Sequence, residues 1–314
     1  MRLVRSRRPD SVRGIMATIS LALIPGTLLH AMQFGAIVWL QTGWCLLLAL
    51  LTEALCLRLR NRPLLLGLGD LSWLVCGLLL ARALPLLVPV WMMALAMLTA
   101  LGLAKHSGGG LGRNRLNPAM AGLAVVAICF HQLLYPAPDP QFPWTAELTL
   151  EELLLLEWQL AARLEIDALS GATPLKTGLL DTAAPYLSWI GYLAGGLMLT
   201  LLRLIRIEIP LAMMASSVSL CMLAGHTLNE SLHSLSLGGY LLTAFFIATD
   251  PVTSPDNRSA RILFGITVGA VTELIREFGL YADGLCFAVL TANLLVPHFN
   301  RLGARFHRPW YQTA

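Results

Sequence analysis

Residues 36–57, which read AIVWLQTGWCLLLALLTEALCL, decide the fold of this chain. The run contains a single charged residue, Glu53, and a helix of about 20 apolar residues is long enough to cross the hydrocarbon core of a bilayer. The whole chain is 56% hydrophobic and 13% charged, whereas soluble domains carry about 25% charged residues. The sequence therefore predicts an all-α, polytopic membrane helix bundle.

Similar apolar runs recur along the chain and predict about ten transmembrane helices. Pro85 and Pro89 mark a hairpin between the third and fourth runs. The first five runs lie in residues 1–135 and the last five in 185–314, so two five-helix halves would be inverted repeats, a design common among transport proteins. The runs are approximately 14–34, 36–57, 71–87, 90–104, 118–135, 185–202, 209–224, 235–249, 260–275 and 283–299.

Lysine and arginine residues alternate between successive connections, and this alternation orients the spans. The N-terminal head and the connections after every second span are basic, whereas the connections between them have few basic residues, with Arg82 and Arg276 nearby. Because cytoplasmic loops carry the excess of Lys and Arg, both termini are predicted to be inside. The long, acidic interval 136–184 is then predicted to lie on the outer face.

Composition also limits the partners and metals to be expected. The arginines that give the net charge of +4 are scattered between apolar runs, so we expect a lipid bilayer and no nucleic acid as partner. The six cysteines lie within apolar runs without a C-x-x-C pair, so we expect small core residues and no metal site. The basic head followed by an apolar run imitates a secretory signal, but no A-x-A-like cleavage site follows, so the first span is expected to be retained.

The outer interval contains Asp167-Ala-Leu-Ser-Gly-Ala-Thr-Pro174, which looks suited to chemistry. The small residues favour a turn, and Pro174 pushes Thr173 toward an extended backbone that holds its hydroxyl outward. An ordinary Ser/Thr turn is the simpler interpretation of these residues alone, and a modification site is the alternative. Upstream, Thr149-Leu-Glu-Glu152 is typical of a capping box that begins a short helix through about Arg163. This helix either lies at the membrane interface or packs over the bundle.

Other candidate positions lie within or beside the spans. Glu53 and Glu273 are intramembrane carboxylates, which are costly and mark ion paths by default. Each is close enough to a predicted interface to be solvated instead, and Glu273 has Arg276 and Glu277 within reach on its helix. Asp250, before a proline at a break in the eighth span, indicates either an Asx turn or a discontinuous helix that exposes polar backbone to a ligand.

A glycine-rich, basic segment, 105–120, joins the fourth and fifth spans. It is predicted to begin a helix with Asn117 as N-cap and Pro118 at the first position. Free amides and basic side chains at such a helix start can hold an anion, although a tight turn explains the glycines equally well. The pattern of a nucleotide P-loop is missing, so ATP binding is not expected.

These segments together resemble the NqrB/RnfD family of membrane flavoproteins. Asp167-x-x-Ser-Gly-Ala-Thr173 is similar to the D-x-x-(S/T)-G-A-T flavinylation motif. The glycine-rich segment 105–120, the break at 249–253 and the run 278–289 resemble the family's other motifs, and all four occur in the family's order. The short N-terminal head is closer to the RnfD branch.

The resemblance implies that Thr173 carries FMN through a phosphoester bond and that Lys176 faces the phosphate. It implies that the chain is one subunit of an Rnf-type translocase in the bacterial inner membrane and is inactive alone. Thr173 would be periplasmic. The complex would relay electrons between ferredoxin and NAD, coupled to the movement of sodium or protons. Noncovalent riboflavin, other Rnf subunits including RnfG, and a flavin transferase are implied as cofactor and partners. The transferase's recognition sequence would be Asp167, Ser170, Gly171 and Ala172.

A permease of the inverted-repeat kind would show the same number of spans, with an odd number in each half, and it would need no flavin. A scaffold that has lost its flavin is a third interpretation. Covalent flavin at Thr173 distinguishes the first interpretation from the other two.

Overall fold

The computed structural model of this chain describes residues 11–86, 88–134, 187–279, 281 and 283–306. Within these ranges every regular element is a helix, so the prediction of an all-α fold is confirmed. The predicted helix after Thr149, the motif 167–174 and Lys176 lie outside the described residues.

Two helices of the first half begin at side-chain caps. The Ser11 hydroxyl accepts a hydrogen bond from the Gly14 N–H at 3.1 Å and caps the first helix, and Asn117 with Pro118 begins the sixth, as predicted. The helices are α1 (Val12–Phe34), α2 (Ile37–Leu59), α3 (Leu64–Leu68), α4 (Ser72–Ala83), α5 (Val90–His106, a π-helix over Leu98–His106), α6 (Pro118–Cys129) and α7 (His131–Leu134).

The second half repeats this order with one short helix outside the predicted runs. That helix begins with a capping box, in which hydrogen bonds from the Thr227 backbone N–H and hydroxyl lower the pKa of the Glu230 carboxyl. The helices are α8 (Ser188–Leu201), α9 (Glu208–Leu223), α10 (Leu228–Ser234), α11 (Tyr240–Leu242, followed by a π-helix over Thr243–Ile247), α12 (Arg258–Phe278) and α13 (Leu285–Phe306).

Each of the ten predicted apolar runs overlaps at least one of these helices. Three of the described helices are long and apolar enough to cross a membrane by themselves: Val12–Phe34, Ile37–Leu59 and Leu285–Ala304. Large apolar side chains also project outward, with Leu65, Leu201 and Leu223 exposed by 89%, 83% and 82%. Such a surface suits lipid rather than water, so a polytopic membrane bundle is supported, while ten crossings stay a prediction.

Helices α1 and α8 form a close pair that joins the two halves. A methyl group added at Gly191 would overlap the backbone of Gly26, and one added at Gly195 would overlap the Ala22 carbonyl. Small residues at such positions let two backbones approach closely, which favours helix association in a membrane. Ala22 contacts Gly195 and Gly26 contacts Gly191, so higher residue numbers in α1 meet lower ones in α8. The two helices are therefore antiparallel.

The packing partners of the two halves correspond. Helix α2 packs on α4 and α5, and α9 packs on the π-helix Thr243–Ile247 and on α12. Likewise α5 packs on α6, and α12 packs on α13. Helices α6 and α13 then meet across the halves, where Asn293 Oδ1 accepts a hydrogen bond from the Asn117 N–H at 2.9 Å. This is the pattern expected of two copies of one five-helix unit.

Candidate functional site

A buried ion pair joins α2 to the end of α5. Lys105 Nζ lies 2.7 Å from Glu53 Oε1, and the two side chains are only 4% and 1% exposed. The same ammonium donates to Ser72 Oγ at 2.6 Å, and this hydroxyl donates to Asp70 Oδ1 at 2.6 Å. A continuous polar chain therefore runs from the buried carboxylate to the turn before α4.

His106 occupies the other side of Glu53. Arg60 Nη1 lies 2.9 Å from His106 Nδ1, and because a guanidinium can only donate, Nδ1 must accept and the ring proton must be on Nε2. Nε2 lies 3.0 Å from Glu53 Oε2, but the pair is not aligned as a hydrogen bond, so we treat it as an electrostatic contact. The carboxylate is thus held between Lys105 and His106.

The glycine-rich segment positions this cluster. Arg60 Nη2 donates to the Gly109 carbonyl at 2.9 Å, and Gly109 and Gly110 have φ values of 118° and 99°, a region that favours glycine. The segment therefore turns tightly and fastens to the end of α2. The tight-turn interpretation is confirmed for these glycines.

The first cavity, which we call the Lys105 cavity, lies beside this cluster. Its walls come from the start of α1, the start of α4, the end of α5, the end of α8 and the break after the π-helix Thr243–Ile247, and it encloses about 810 Å³ including the solvent at its mouth. Most of the lining is apolar. The polar side chains among its lining residues are Ser72, Lys105, Asn114, Asn117, Thr249 and Asp250.

Asn117 and the break at Asp250 hold this cavity together. Asn117 Oδ1 accepts from the Met120 N–H at 3.3 Å, and its Nδ2 donates to the Ile247 carbonyl at 3.3 Å. Asp250 forms the predicted Asx-type turn, because Oδ1 accepts from the Val252 N–H and Oδ2 from the Thr253 hydroxyl. The interrupted helix of the second half is thereby joined to the start of α6.

A second cavity, which we call the Arg82 cavity, lies at the opposite end of the α1–α8 pair. It is lined by the end of α1, the end of α4, the start of α8, the connection before α11 and the start of α13, and it encloses about 1030 Å³ including the solvent at its mouth. These elements are the counterparts, in the other half of the chain, of those around the Lys105 cavity. Its polar lining includes His30, Arg82, Tyr192, Ser236, Thr243 and Asp283.

Arg82 is anchored by one of its two terminal nitrogens only. Nη2 donates to the Val38 carbonyl at 3.1 Å and to Thr42 Oγ1 at 2.8 Å. Nη1 is buried and has no hydrogen-bond partner among the described residues. Gln41 Nε2 caps the end of α4 beside it through the Ala81, Leu84 and Pro85 carbonyls, so this end of α4 is fixed.

A second charged cluster lies near the Arg82 cavity, in the position that corresponds to the Glu53 cluster. Arg276 contacts Glu273 at 3.4 Å and Asp283 at 3.5 Å, and its guanidinium stacks on the Tyr240 ring, 5.3 Å from the centroid. The Tyr240 hydroxyl lies 2.6 Å from Ser217 Oγ on α9. The predicted pairing of Glu273 with Arg276 is confirmed.

Several sequence-based expectations change with burial. For Glu53 and Glu273 the sequence left two interpretations open, a carboxylate of an ion path or a carboxylate solvated near an interface. They are 1% and 8% exposed. Lys105 of another helix pairs with Glu53, and Arg276 of the same helix pairs with Glu273. Lys105 and Arg82 were counted as topology signals, yet Lys105 is buried in a helix end and Arg82 lines a cavity. The charged groups and the pairing of Glu273 with Arg276 were visible in the sequence, but the buried partner of Glu53 was not.

Residues 4–306 match the family model described as the NQR2, RnfD, RnfE family. The chain belongs to this family. The match spans both halves, both cavities and the motif at 167–174. The resemblance inferred from the sequence motifs is therefore confirmed.

Individual members of the NQR2, RnfD, RnfE family agree over almost the whole chain. A protein of Cronobacter sakazakii, named as the D-type subunit of an ion-translocating oxidoreductase complex, is 39% identical over 90% of this chain and 91% of its own length. Proteins of the same name from Sodalis glossinidius and Shewanella denitrificans are 38% and 35% identical over 95% and 94% of this chain.

Proposed function

We propose that this chain is the D-type subunit of an Rnf-type complex that carries covalent FMN on Thr173. Family membership supports the coarser statement, that the chain is a membrane subunit of an ion-translocating oxidoreductase complex. The finer statement rests on the motif Asp167-x-x-Ser-Gly-Ala-Thr173 inside the matched range. In this proposal a flavin transferase recognises Asp167, Ser170, Gly171 and Ala172, and Lys176 faces the phosphodiester.

The Arg82 cavity is our proposed seat for the tethered flavin. Ser188 lines this cavity, and the chain from Thr173 to Ser188 extends at most about 54 Å, at about 3.6 Å per residue. A tether at Thr173 is therefore within reach of the cavity mouth. The cavity also combines apolar walls with a few polar groups, including Arg82 and Tyr192, which is the usual character of a cofactor site.

The Lys105 cavity fits the noncovalent riboflavin implied by the family. A flavin ring has an apolar benzenoid part and a pyrimidine edge of alternating acceptors and donors, which apolar walls and asparagine amides can match. Asn114 and Asn117 would hold that edge, and Asp250 and Lys105 would stand beside it. When bound, flavins supply one-electron and two-electron redox chemistry, and the protein supplies position and electrostatics.

The arrangement of the two cavities is the observation that carries the proposal. They lie at opposite ends of the antiparallel α1–α8 pair and are lined by corresponding elements of the two halves. By the Lys and Arg pattern, the Lys105 cavity faces the cytoplasm and the Arg82 cavity faces the outer side. Two redox groups seated in this way would carry electrons across the bilayer, with the neighbouring Rnf subunits, including RnfG, as partners.

We further propose Glu53, Glu273 and Asp250 as groups of the ion path. The Glu53 to Lys105 to Ser72 to Asp70 chain connects a buried carboxylate to one end of the bundle. Glu273 belongs to the second charged cluster, near the Arg82 cavity, where it pairs with Arg276. Measuring transport by the purified complex with sodium varied at fixed pH would distinguish sodium from proton coupling.

Covalent flavin is the decisive test. The protein is co-expressed with the flavin transferase, denatured, separated on a gel and examined for flavin fluorescence. We expect a fluorescent band for the unchanged chain and none for Thr173→Ala, with Thr177→Ala as a matched control that keeps the band. A band that persists in Thr173→Ala, or its absence from the unchanged chain, would exclude the flavin proposal and favour a permease.

The orientation has its own test. A cysteine placed at Thr177, in a chain whose native cysteines are replaced, should react with an impermeant thiol reagent added from the outer side. Reaction only after the inner face has been opened would reverse the proposed topology.

A further inference from the structure

The starting observation is the buried Nη1 nitrogen of Arg82, which has no hydrogen-bond partner among the described residues. Leaving a charged donor buried and unpaired costs more than leaving a neutral donor unpaired. The guanidinium is fixed by Val38 and Thr42 through Nη2 and lines the Arg82 cavity. Such a group is suited to donate a hydrogen bond to an acceptor atom of a ligand that enters the cavity.

The other polar groups of this cavity leave the charge of Arg82 uncompensated. Asp283 is ion-paired with Arg276 and accepts a hydrogen bond from the Gly239 N–H. His30 stacks on Phe34, with the ring centroids 4.6 Å apart. No carboxylate of the described residues lies within ion-pair distance of Arg82, so the cavity carries net positive charge at this wall.

The Lys105 cavity has the opposite character. Lys105 is neutralised by Glu53 at 2.7 Å, and Asp250 adds a carboxylate to the lining. Arg82 lies at the end of α4, and Asp250 follows the π-helix that continues α11. The two therefore occupy corresponding positions in the two halves, with opposite charge.

We propose that Arg82 is a positioning residue that contacts the acceptor edge of the redox ligand in its cavity and makes this ligand the stronger electron acceptor of the two. This rests on the proposed function. A flavin held in the Arg82 cavity would supply one-electron acceptor chemistry there. Arg82 Nη1 would donate a hydrogen bond to an acceptor atom at the edge of its ring, would favour the added negative charge of the reduced form, and would transfer no proton.

The expected effect follows from the loss of one charge near the ring. Charged groups at contact distance in a protein interact by several times RT even at an effective dielectric constant of about 20. We expect Arg82→Gln to lower the equilibrium constant for one-electron reduction of the covalent flavin by roughly tenfold or more, which is about 59 mV for a one-electron couple.

The experiment is a spectroelectrochemical titration of the purified complex. Arg82→Gln should lower the midpoint potential of the covalent flavin, and Arg82→Lys should give a smaller shift, because its ammonium keeps the charge but not the fork geometry. Arg62→Gln removes an exposed arginine far from the cavity and should leave the potential unchanged. Thr42→Val removes an anchor of Arg82 without removing charge, so it should change the midpoint potential little.

The outcomes separate the inference from the function on which it rests. Absence of covalent flavin from the unchanged protein contradicts the proposed function. If Arg82→Gln keeps the fluorescent band and the midpoint potential is unchanged, the role of Arg82 is contradicted but the proposed function is not. An equal shift of the potential in Arg62→Gln has the same meaning. If Arg82→Gln does not assemble, comparing Arg82→Lys with Thr42→Val tests the role of Arg82. Only Arg82→Lys should lower the midpoint potential of the covalent flavin.

Discussion

The buried pair of Glu53 and Lys105 should behave as a single energetic unit. At the observed separation of 2.7 Å, Coulomb's law with an effective dielectric constant of about 20 gives a gross attraction of roughly 6 kcal/mol. Most of that attraction offsets the cost of removing both charges from water. Removing one partner alone leaves the other buried and uncompensated, which typically costs about 3–5 kcal/mol.

The perturbation is a double-mutant cycle with Lys105→Met, Glu53→Gln and the combined variant. We expect Lys105→Met to lower the free energy of unfolding by about 3–5 kcal/mol. The combined variant should be less destabilised than the sum of the two single changes, with a coupling of about 2 kcal/mol or more. The assay is denaturant unfolding in detergent micelles, followed by circular dichroism.

The chain contains a matched control for this cycle. Arg258 Nε lies 4.0 Å from Glu208 Oε1, and these side chains are 74% and 21% exposed. Exposed pairs contribute about 0–1 kcal/mol, so Arg258→Met should change stability by less than about 1 kcal/mol. If Lys105→Met costs no more than Arg258→Met, or if the effects in the cycle simply add, the argument from burial is refuted.

Two further substitutions test packing and capping by the same unfolding assay. Gly191→Ala should cost about 1–3 kcal/mol, because its methyl group would overlap the α1 backbone, whereas Gly43→Ala, with no other atom within 4 Å, should be neutral or slightly stabilising. Equal effects would contradict the close α1–α8 contact. Asn117→Ala should cost about 1–3 kcal/mol, because it removes a helix cap and one of the two hydrogen bonds to the Ile247 carbonyl, the other coming from the Asp250 N–H. Ser219→Ala, which removes only an exposed hydroxyl bond within α9, should change stability by less than about 0.5 kcal/mol.

Local signals in the sequence predicted local structure well. Asn117 followed by Pro118 begins a helix as expected, and Asp250 before a proline forms the expected turn. These features depend on a few neighbouring residues, whose side chains satisfy the free amides of a helix start or turn. Short-range chemistry therefore determines them before any tertiary contact forms.

Burial was harder to predict because apolar runs look alike whether they face lipid or protein. Glu53 was close enough to a predicted interface to be solvated, and Lys105 was counted as a loop charge, yet each is buried against the other. The π-helix at the end of α5 and the tight turn at Gly109 bring Lys105 and His106 inward. A buried carboxylate requires a partner, but the partner's identity depends on which helices meet.

The sequence by itself determined the all-α membrane class, the order of the apolar helices, the family and Thr173 as the candidate flavin site, because length, hydropathy and motif are properties of contiguous residues. Only the tertiary structure decided that corresponding elements of the two halves enclose two cavities, and that Arg82 and Asp250 stand at equivalent places with opposite charge. The reason is physical: an unpaired charge is defined by everything packed around it, and those neighbours come from distant parts of the chain.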